Sequence, residues 1–108
     1  MSAHFKSSRD IIIRTKNWSK AKRFYGSVLG LPVTLNRKNM AGFETGSICL
    51  YVEKGEDHGP VFEFLVPDVQ AAKKKLLKAG CVVVEEDPNL PRCYLRDPFG
   101  MVFNLGQA

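Results

Sequence analysis

Arg92-Cys93-Tyr94-Leu95-Arg96-Asp97-Pro98-Phe99-Gly100-Met101-Val102-Phe103-Asn104-Leu105 is the stretch on which the fold turns. It spells two strands joined by a tight turn. Asp97 can bond its own downstream backbone, Pro98 presets φ at the second turn position, and Gly100 takes a conformation other residues resist. Going in, Cys93 and Leu95 alternate with Arg92, Tyr94 and Arg96. Coming out, Met101, Phe103 and Leu105 alternate with Val102 and Asn104. One face of this pair is core. The other is mixed, and function is expected there.

Working outward, Val61-Phe62-Glu63-Phe64-Leu65-Val66 reads as a strand, and Asp68 stands where a helix N-cap should. Val69, Ala72, Leu76 and Leu77 then recur at helical spacing, Gly80 stops the helix, and strand 81–86 precedes the opening stretch. The first half of the chain follows the same plan. Strand 10–15 leads to Asn17 as cap, apolar residues follow at Trp18, Ala21, Phe24, Tyr25, Val28 and Leu29, and Gly30 closes the helix. Strand candidates 32–37, 41–45 and 47–53 come next, with Gly46 at the last turn. Asn17 and Asp68 lie 51 positions apart, Gly30 and Gly80 lie 50 apart, and Gly46 and Gly100 lie 54 apart. Offsets this constant predict two copies of one βαβββ unit, repeated in architecture though not in residue identity. The fold class is therefore α+β. A single domain over 1–108 is expected, made of modules at about 8–53 and 61–106, joined by the polar, Gly-rich linker 54–60. A helix covers only one face of each sheet, so each module needs a partner.

At 108 residues the chain is one domain by size. No apolar run approaches the ~20 residues that span a membrane. Met1 to Arg9 is short and polar without a signal-type apolar segment, so a cytoplasmic location and no membrane partner are expected. Cys49, Cys81 and Cys93 are odd in number and lack metal-type spacing, which fits buried reduced thiols. The net charge of +5 raises nucleic acid as a partner. Its cations are spread over Lys16, Lys20, Lys22, Arg23, Arg37, Lys38 and Lys73 to Lys75, with no interleaved aromatics for base stacking. No nucleic-acid partner is expected, and a mild preference for anionic ligands is the economical inference.

Phe24-Tyr25, Leu29-Gly30-Leu31, Val66-Pro67-Asp68, Ala79-Gly80 and Asp97-Pro98-Phe99-Gly100, in this order along nearly the whole chain, resemble the vicinal oxygen chelate superfamily. It includes glyoxalase I, the bleomycin-resistance proteins, the extradiol dioxygenases and the fosfomycin-resistance transferases. The resemblance implies paired βαβββ modules whose curved mixed sheets form a cavity. It also implies a homodimer, with modules paired within a chain or exchanged between chains. Members often set a divalent metal in the cavity through His, Glu or Gln at four positions, which here fall on Asp10, Leu50, Val61 and Asn104. Leu50 and Val61 offer no donor, and two oxygen ligands are too few for a dedicated site. No metal and no cofactor are expected. His4, in the N-terminal tail, and His58, in the linker, are read as surface residues.

Alternation sorts the other strands. Toward the helices it places Ile11, Ile13 and Thr15; Cys49 and Tyr51; and Phe62, Phe64 and Val66. Toward the second face it places Asp10, Ile12 and Arg14; Ile48, Leu50 and Val52; and Val61, Glu63 and Leu65. Strand 47–53 is apolar on both faces, and Glu53, beside the linker, is read as a solvated end. An antiparallel sheet often keeps one wet side. Two open sheets that must meet turn that side into a cavity wall, apolar with a few polar groups. The candidate ligand-binding residues are Asp10, Ile12, Arg14, Ile48, Leu50, Val61, Glu63, Arg92, Tyr94 and Asn104.

Asp10, Arg14, Glu63, Arg92 and Arg96 cannot all be buried unpaired, because each such ion is heavily penalised. Glu63 either pairs internally with Arg14 or another arginine, or faces a ligand as an orienting carboxylate or catalytic base. Tyr94 is either a sheet-surface aromatic or a ligand contact; the second reading follows the fosfomycin-resistance enzymes. Three function classes remain. The first is a metal-independent binding protein of the glyoxalase/bleomycin-resistance type for a small anionic or aromatic ligand. The second is an enzyme of the lyase, isomerase, transferase or dioxygenase kind with a weakly held metal and Glu63 or Asp10 as working carboxylate. The third is a module that binds another protein.

Overall fold

The structure, a computed structural model, describes residues 4–108. Met1 to Ala3, the start of the stretch read as a polar tail, lie outside the described residues. The chain divides into two compact units. The first is Arg9–Pro60; the second is Val61–Ala108 together with the N-terminal residues up to Ser8.

Strand β1 (Lys6–Ser7) belongs to the second unit. The first unit begins with β2 (Asp10–Thr15) and α1 (Trp18–Arg23), which runs into a π-helical turn (Phe24–Val28). Then come β3 (Val33–Asn36), β4 (Met40–Glu44) and β5 (Cys49–Lys54). β2 lies parallel to β5, with Asp10 opposite Cys49 and Ile13 opposite Val52. β4 lies antiparallel to β5, and β3 antiparallel to β4. Ala41, Phe43 and Val52 are fully buried beneath Trp18, Ala21 and Tyr25 of the helical segment. The Trp18 indole Nε1 donates to the Val52 carbonyl at 3.0 Å, pinning helix to sheet.

The second unit repeats this order with β6 (His58–Val66, whose first three residues still belong to the first unit), α2 (Val69–Lys78), β7 (Val82–Asp87), β8 (Arg92–Arg96) and β9 (Val102–Gln107). β6 is parallel to β9, β8 antiparallel to β9, and β7 antiparallel to β8. Its core gathers Val66, Ala72, Cys81, Cys93, Leu95, Phe103 and Leu105. Complete burial of a side chain such as Leu95 or Phe43 is worth about 1.5–3 kcal/mol. The opening turn forms as read. Asp97 Oδ1 accepts from the backbone N–H of Phe99 at 2.9 Å and of Met101 at 3.0 Å, and Gly100 sits at φ +99°. The α+β class and the βαβββ plan are borne out. Both units even carry a register shift in the same place, between Val33 and Leu35 and between Val83 and Glu85.

Several expectations are corrected. The N-terminal stretch is not only a tail: Lys6 and Ser7 pair with Leu65 and Phe64, and Phe5 packs edge-on against the Phe64 ring. β6 starts at His58, so three residues read as linker are strand. Cys49 is half-buried, unlike Cys81 and Cys93. Beyond Arg23 the wider π-helical turn carries Phe24, Val28 and Leu29 off the inward stripe and into solvent; Leu77 is exposed on α2 as well.

The largest correction concerns β5. Residues opposed across a parallel pair point to the same face. Ile13 and Val52 are opposed and both pack in the core, and Leu50 packs there with them. Leu50 and Val52 therefore face the helix, and Cys49, Tyr51 and Glu53 face away from it. This is the reverse of the sequence reading. With apolar residues on both faces, that strand offered alternation no contrast.

Candidate functional site

On the second unit, the face turned away from α2 carries a polar row across four strands. Glu63 on β6 is opposite Asn104 on β9, Asn104 is opposite Tyr94 on β8, and Tyr94 is opposite Glu85 on β7. The bulge before Glu85 turns that carboxylate into the row. Asn104 Nδ2 donates to Glu63 Oε2 at 2.9 Å, while its Oδ1 accepts from the Cys93 backbone N–H at 2.8 Å. Both ends of the amide are thus fixed. The Arg92 guanidinium lies 4.9 Å from the centre of the Tyr94 ring and donates through Nη1 to Glu85 Oε2 at 3.1 Å. Tyr94 is 3% exposed, so it is not a sheet-surface aromatic.

The matching row of the first unit is apolar. Ile12, Tyr51, Gly42 and Leu35 stand opposite one another on β2, β5, β4 and β3. The Tyr51 ring fills the place a side chain at 42 would need, since a Cβ there would lie 2.9 Å from Tyr51 Cε1. On the same face Arg14 Nε donates to Glu53 Oε1 at 3.0 Å, with both side chains only 17% exposed. Asp10 and Cys49 share this face. At its edge Arg9 Nη2 donates to Glu44 Oε2 at 2.6 Å. That guanidinium, with help from the Gly46 backbone N–H, holds the Glu44 carboxyl below its ordinary range; the same contact raises Arg9. Burial pushes the thiols of Cys49 and Cys93 up, which leaves them protonated and poor nucleophiles.

The ten residues read from sequence therefore separate. Glu63, Arg92, Tyr94 and Asn104 come together in one row. Asp10, Ile12 and Arg14 share the corresponding face of the first unit, as alternation predicted. Val61 is buried. Ile48 precedes β5 and its carbonyl is taken by Thr45. Leu50 is a core residue and drops out of the candidate set. The internal pairing considered for Glu63 with Arg14 is replaced by Glu63–Asn104 and Arg14–Glu53. Three residues on these faces escaped the sequence reading: Tyr51 and Glu53 through the reversed strand, and Glu85 through its bulge. Glu53 alone left a signal, because it shares the parity of Tyr51 and lies one strand from Arg14.

The donor set does not fit a resident metal. Of the four positions the superfamily uses, Leu50 lies in the core and Val61 has no donor atom. Among the described residues no three His, Cys, Asp or Glu side chains are grouped so as to hold an ion.

A mixed sheet with one helix on a single face, built twice on one plan, is the mark of the glyoxalase/bleomycin-resistance/dioxygenase class. The chain belongs to the glyoxalase-like domain family, whose model matches residues 10–106. Among solved structures it is similar to a Mn(II)-bound glyoxalase from Novosphingobium aromaticivorans, with a TM-score of 0.68 and 20% identity over 98% of this chain and 40% of that one. It is also similar to homoprotocatechuate 2,3-dioxygenase from Brevibacterium fuscum in complex with 3,4-dihydroxyphenylacetate, with a TM-score of 0.70 and 22% identity over 98% of this chain and 37% of that one. A glyoxalase/bleomycin resistance protein/dioxygenase superfamily member from Vibrio splendidus matches at a TM-score of 0.69 and 14% identity, over 97% of this chain and 100% of its own. This chain thus spans well under half of the first two proteins. No curated protein matches it.

Proposed function

We propose that the protein binds a small aromatic molecule without a resident metal, at the row formed by Glu63, Asn104, Tyr94 and Arg92. One observation carries this reading: among the described residues no three potential ligands are grouped to hold an ion. The polar atoms of the row are instead tied to one another and to the backbone, which suits them to orienting an organic ligand. Charge selects the ligand class. On this face Glu63 and Glu85 stand against Arg92 and Arg96, so the net charge of +5 is not expressed there. An aromatic ring is favoured over a simple anion, with the Arg92 guanidinium, backed by the buried Tyr94 ring, as its partner. The test is thermal shift in chelator-containing buffer against phenols, aromatic carboxylates and aliphatic carboxylates. At least one aromatic compound raises Tm, and Arg92→Met abolishes the rise. Stabilisation by aliphatic acids alone, or by any compound only after metal is added, would overturn the proposal.

A second reading is supported by the likeness to the manganese-bound glyoxalase and to the dioxygenase, which extends over 98% of this chain. It is a glyoxalase-like lyase or isomerase, or a dioxygenase-like enzyme, with a weakly held divalent ion and Glu63 as the working carboxylate. Metal that co-purifies with the protein in a ratio near one per chain would favour it.

A further inference from the structure

Residues 16–43 hold six Lys or Arg side chains and not one Asp or Glu. Within this stretch a groove of about 420 Å³ opens beside α1, with Trp18, Lys22, Arg23, Val33 and Phe43 among its walls. Phe43 is fully buried beneath it, and the Lys22 ammonium lies 4.9 Å from the centre of the Trp18 ring. Among the described residues no carboxylate pairs with Lys20, Lys22 or Arg23. Alongside, Phe24, Val28, Leu29 and Val33 are between 47% and 69% exposed, four large apolar side chains within ten positions. Among the described residues β3 is the outer strand of this unit's sheet and pairs with β4 alone, which leaves its other edge open.

An exposed apolar patch rimmed by polar groups marks an interaction surface, and an open strand edge accepts an extended peptide. We infer that this face of the first unit docks an acidic, apolar segment of another protein, its carboxylates meeting Lys20, Lys22 and Arg23 and an apolar side chain entering the groove. A phosphate backbone would leave the exposed Val28, Leu29 and Val33 with nothing to bury against. A lipid surface would leave the strand edge without an added strand. The site is separate from the row that carries the proposed ligand function.

Trp18 is the only tryptophan of the chain, so its emission reports on the groove. The full chain is titrated with a synthetic peptide alternating Glu with Phe and Leu, and Trp18 emission changes saturably. The double variant Lys22→Glu/Arg23→Glu raises Kd about tenfold, since attraction becomes repulsion at two cations, Lys22 half-buried over Trp18 and Arg23 exposed. Val33→Asp, also at an exposed position, weakens binding while circular dichroism remains that of the parent. Tyr94→Phe leaves the titration unchanged. The inference falls if the peptide causes no change, or if polyglutamate without apolar residues binds equally well. It falls too if duplex DNA or vesicles of anionic lipid bind more tightly through the same residues, or if Val33→Asp splits a dimer in sedimentation and so identifies a second copy as the occupant.

Discussion

Glu63 keeps its place partly through what its neighbour lacks. A Cβ on Gly106 would sit 2.8 Å from Glu63 Oε2. Gly106→Ala is expected to push the carboxylate off Asn104 and cost about 0.5–1.5 kcal/mol, the net worth of one hydrogen bond, in urea unfolding. A variant as stable as the parent would show that Glu63 has room to move. The Arg14–Glu53 pair is little exposed, so screening removes little of it. Glu53→Ala should cost about 1–3 kcal/mol in the same assay, as expected for losing a charged hydrogen bond. Arg9 and Glu44 set a pH dependence. Because Glu44 has a lower pKa folded than unfolded, the unfolded chain takes up its proton first as pH falls. The stability from this contact is present above the ordinary carboxylate range and is lost as pH drops through it toward the folded value. Unfolding followed from neutral to acid pH should show a shallower acid loss for Arg9→Ala than for the parent; parallel curves would contradict this assignment.

At the scale of elements, the two helix starts look alike in sequence and differ in structure. Asp68 Oδ1 accepts from the Ala71 N–H at 3.1 Å, but Asn17 makes no side-chain cap bond. Asp68→Ala should cost about 0.5–2 kcal/mol, the usual worth of a cap, whereas Asn17→Ala should be near neutral; equal losses would refute the distinction. Much of the fold was legible at this level, because turn residues and helix stops act locally. Asp97, Gly80 and the alternation around Leu95 and Phe103 fixed their elements without distant contacts. What escaped depended on distant partners. Strand 47–53 has apolar residues on both faces, so only its pairing with β2 could decide which way Tyr51 and Glu53 point. No local signal marks the bulge that turns Glu85, or the π-helical turn that exposes Val28 and Leu29.

Over the whole molecule one plan is used twice and the polar row occurs once. Where the second unit has Glu63, Asn104, Tyr94 and Glu85, the first has Ile12, Tyr51, Gly42 and Leu35 in the same relation. The candidate row was half legible: Glu63, Arg92, Tyr94 and Asn104 follow from period-2 alternation in clearly amphipathic strands, and Leu50 was misplaced where that contrast failed. Charge is divided as well. Nine of the sixteen cations lie in Arg9–Pro60, against five of the eleven acids, so the basic character belongs mainly to the unit without the polar row. The central claim is that the row of Glu63, Asn104, Tyr94 and Arg92 orients an organic ligand without a resident ion. Elemental analysis of the full chain, purified without chelators, tests it most directly. The account predicts far less than one transition-metal ion per chain; a manganese, zinc, nickel or iron content near one per chain that survives dialysis would contradict it.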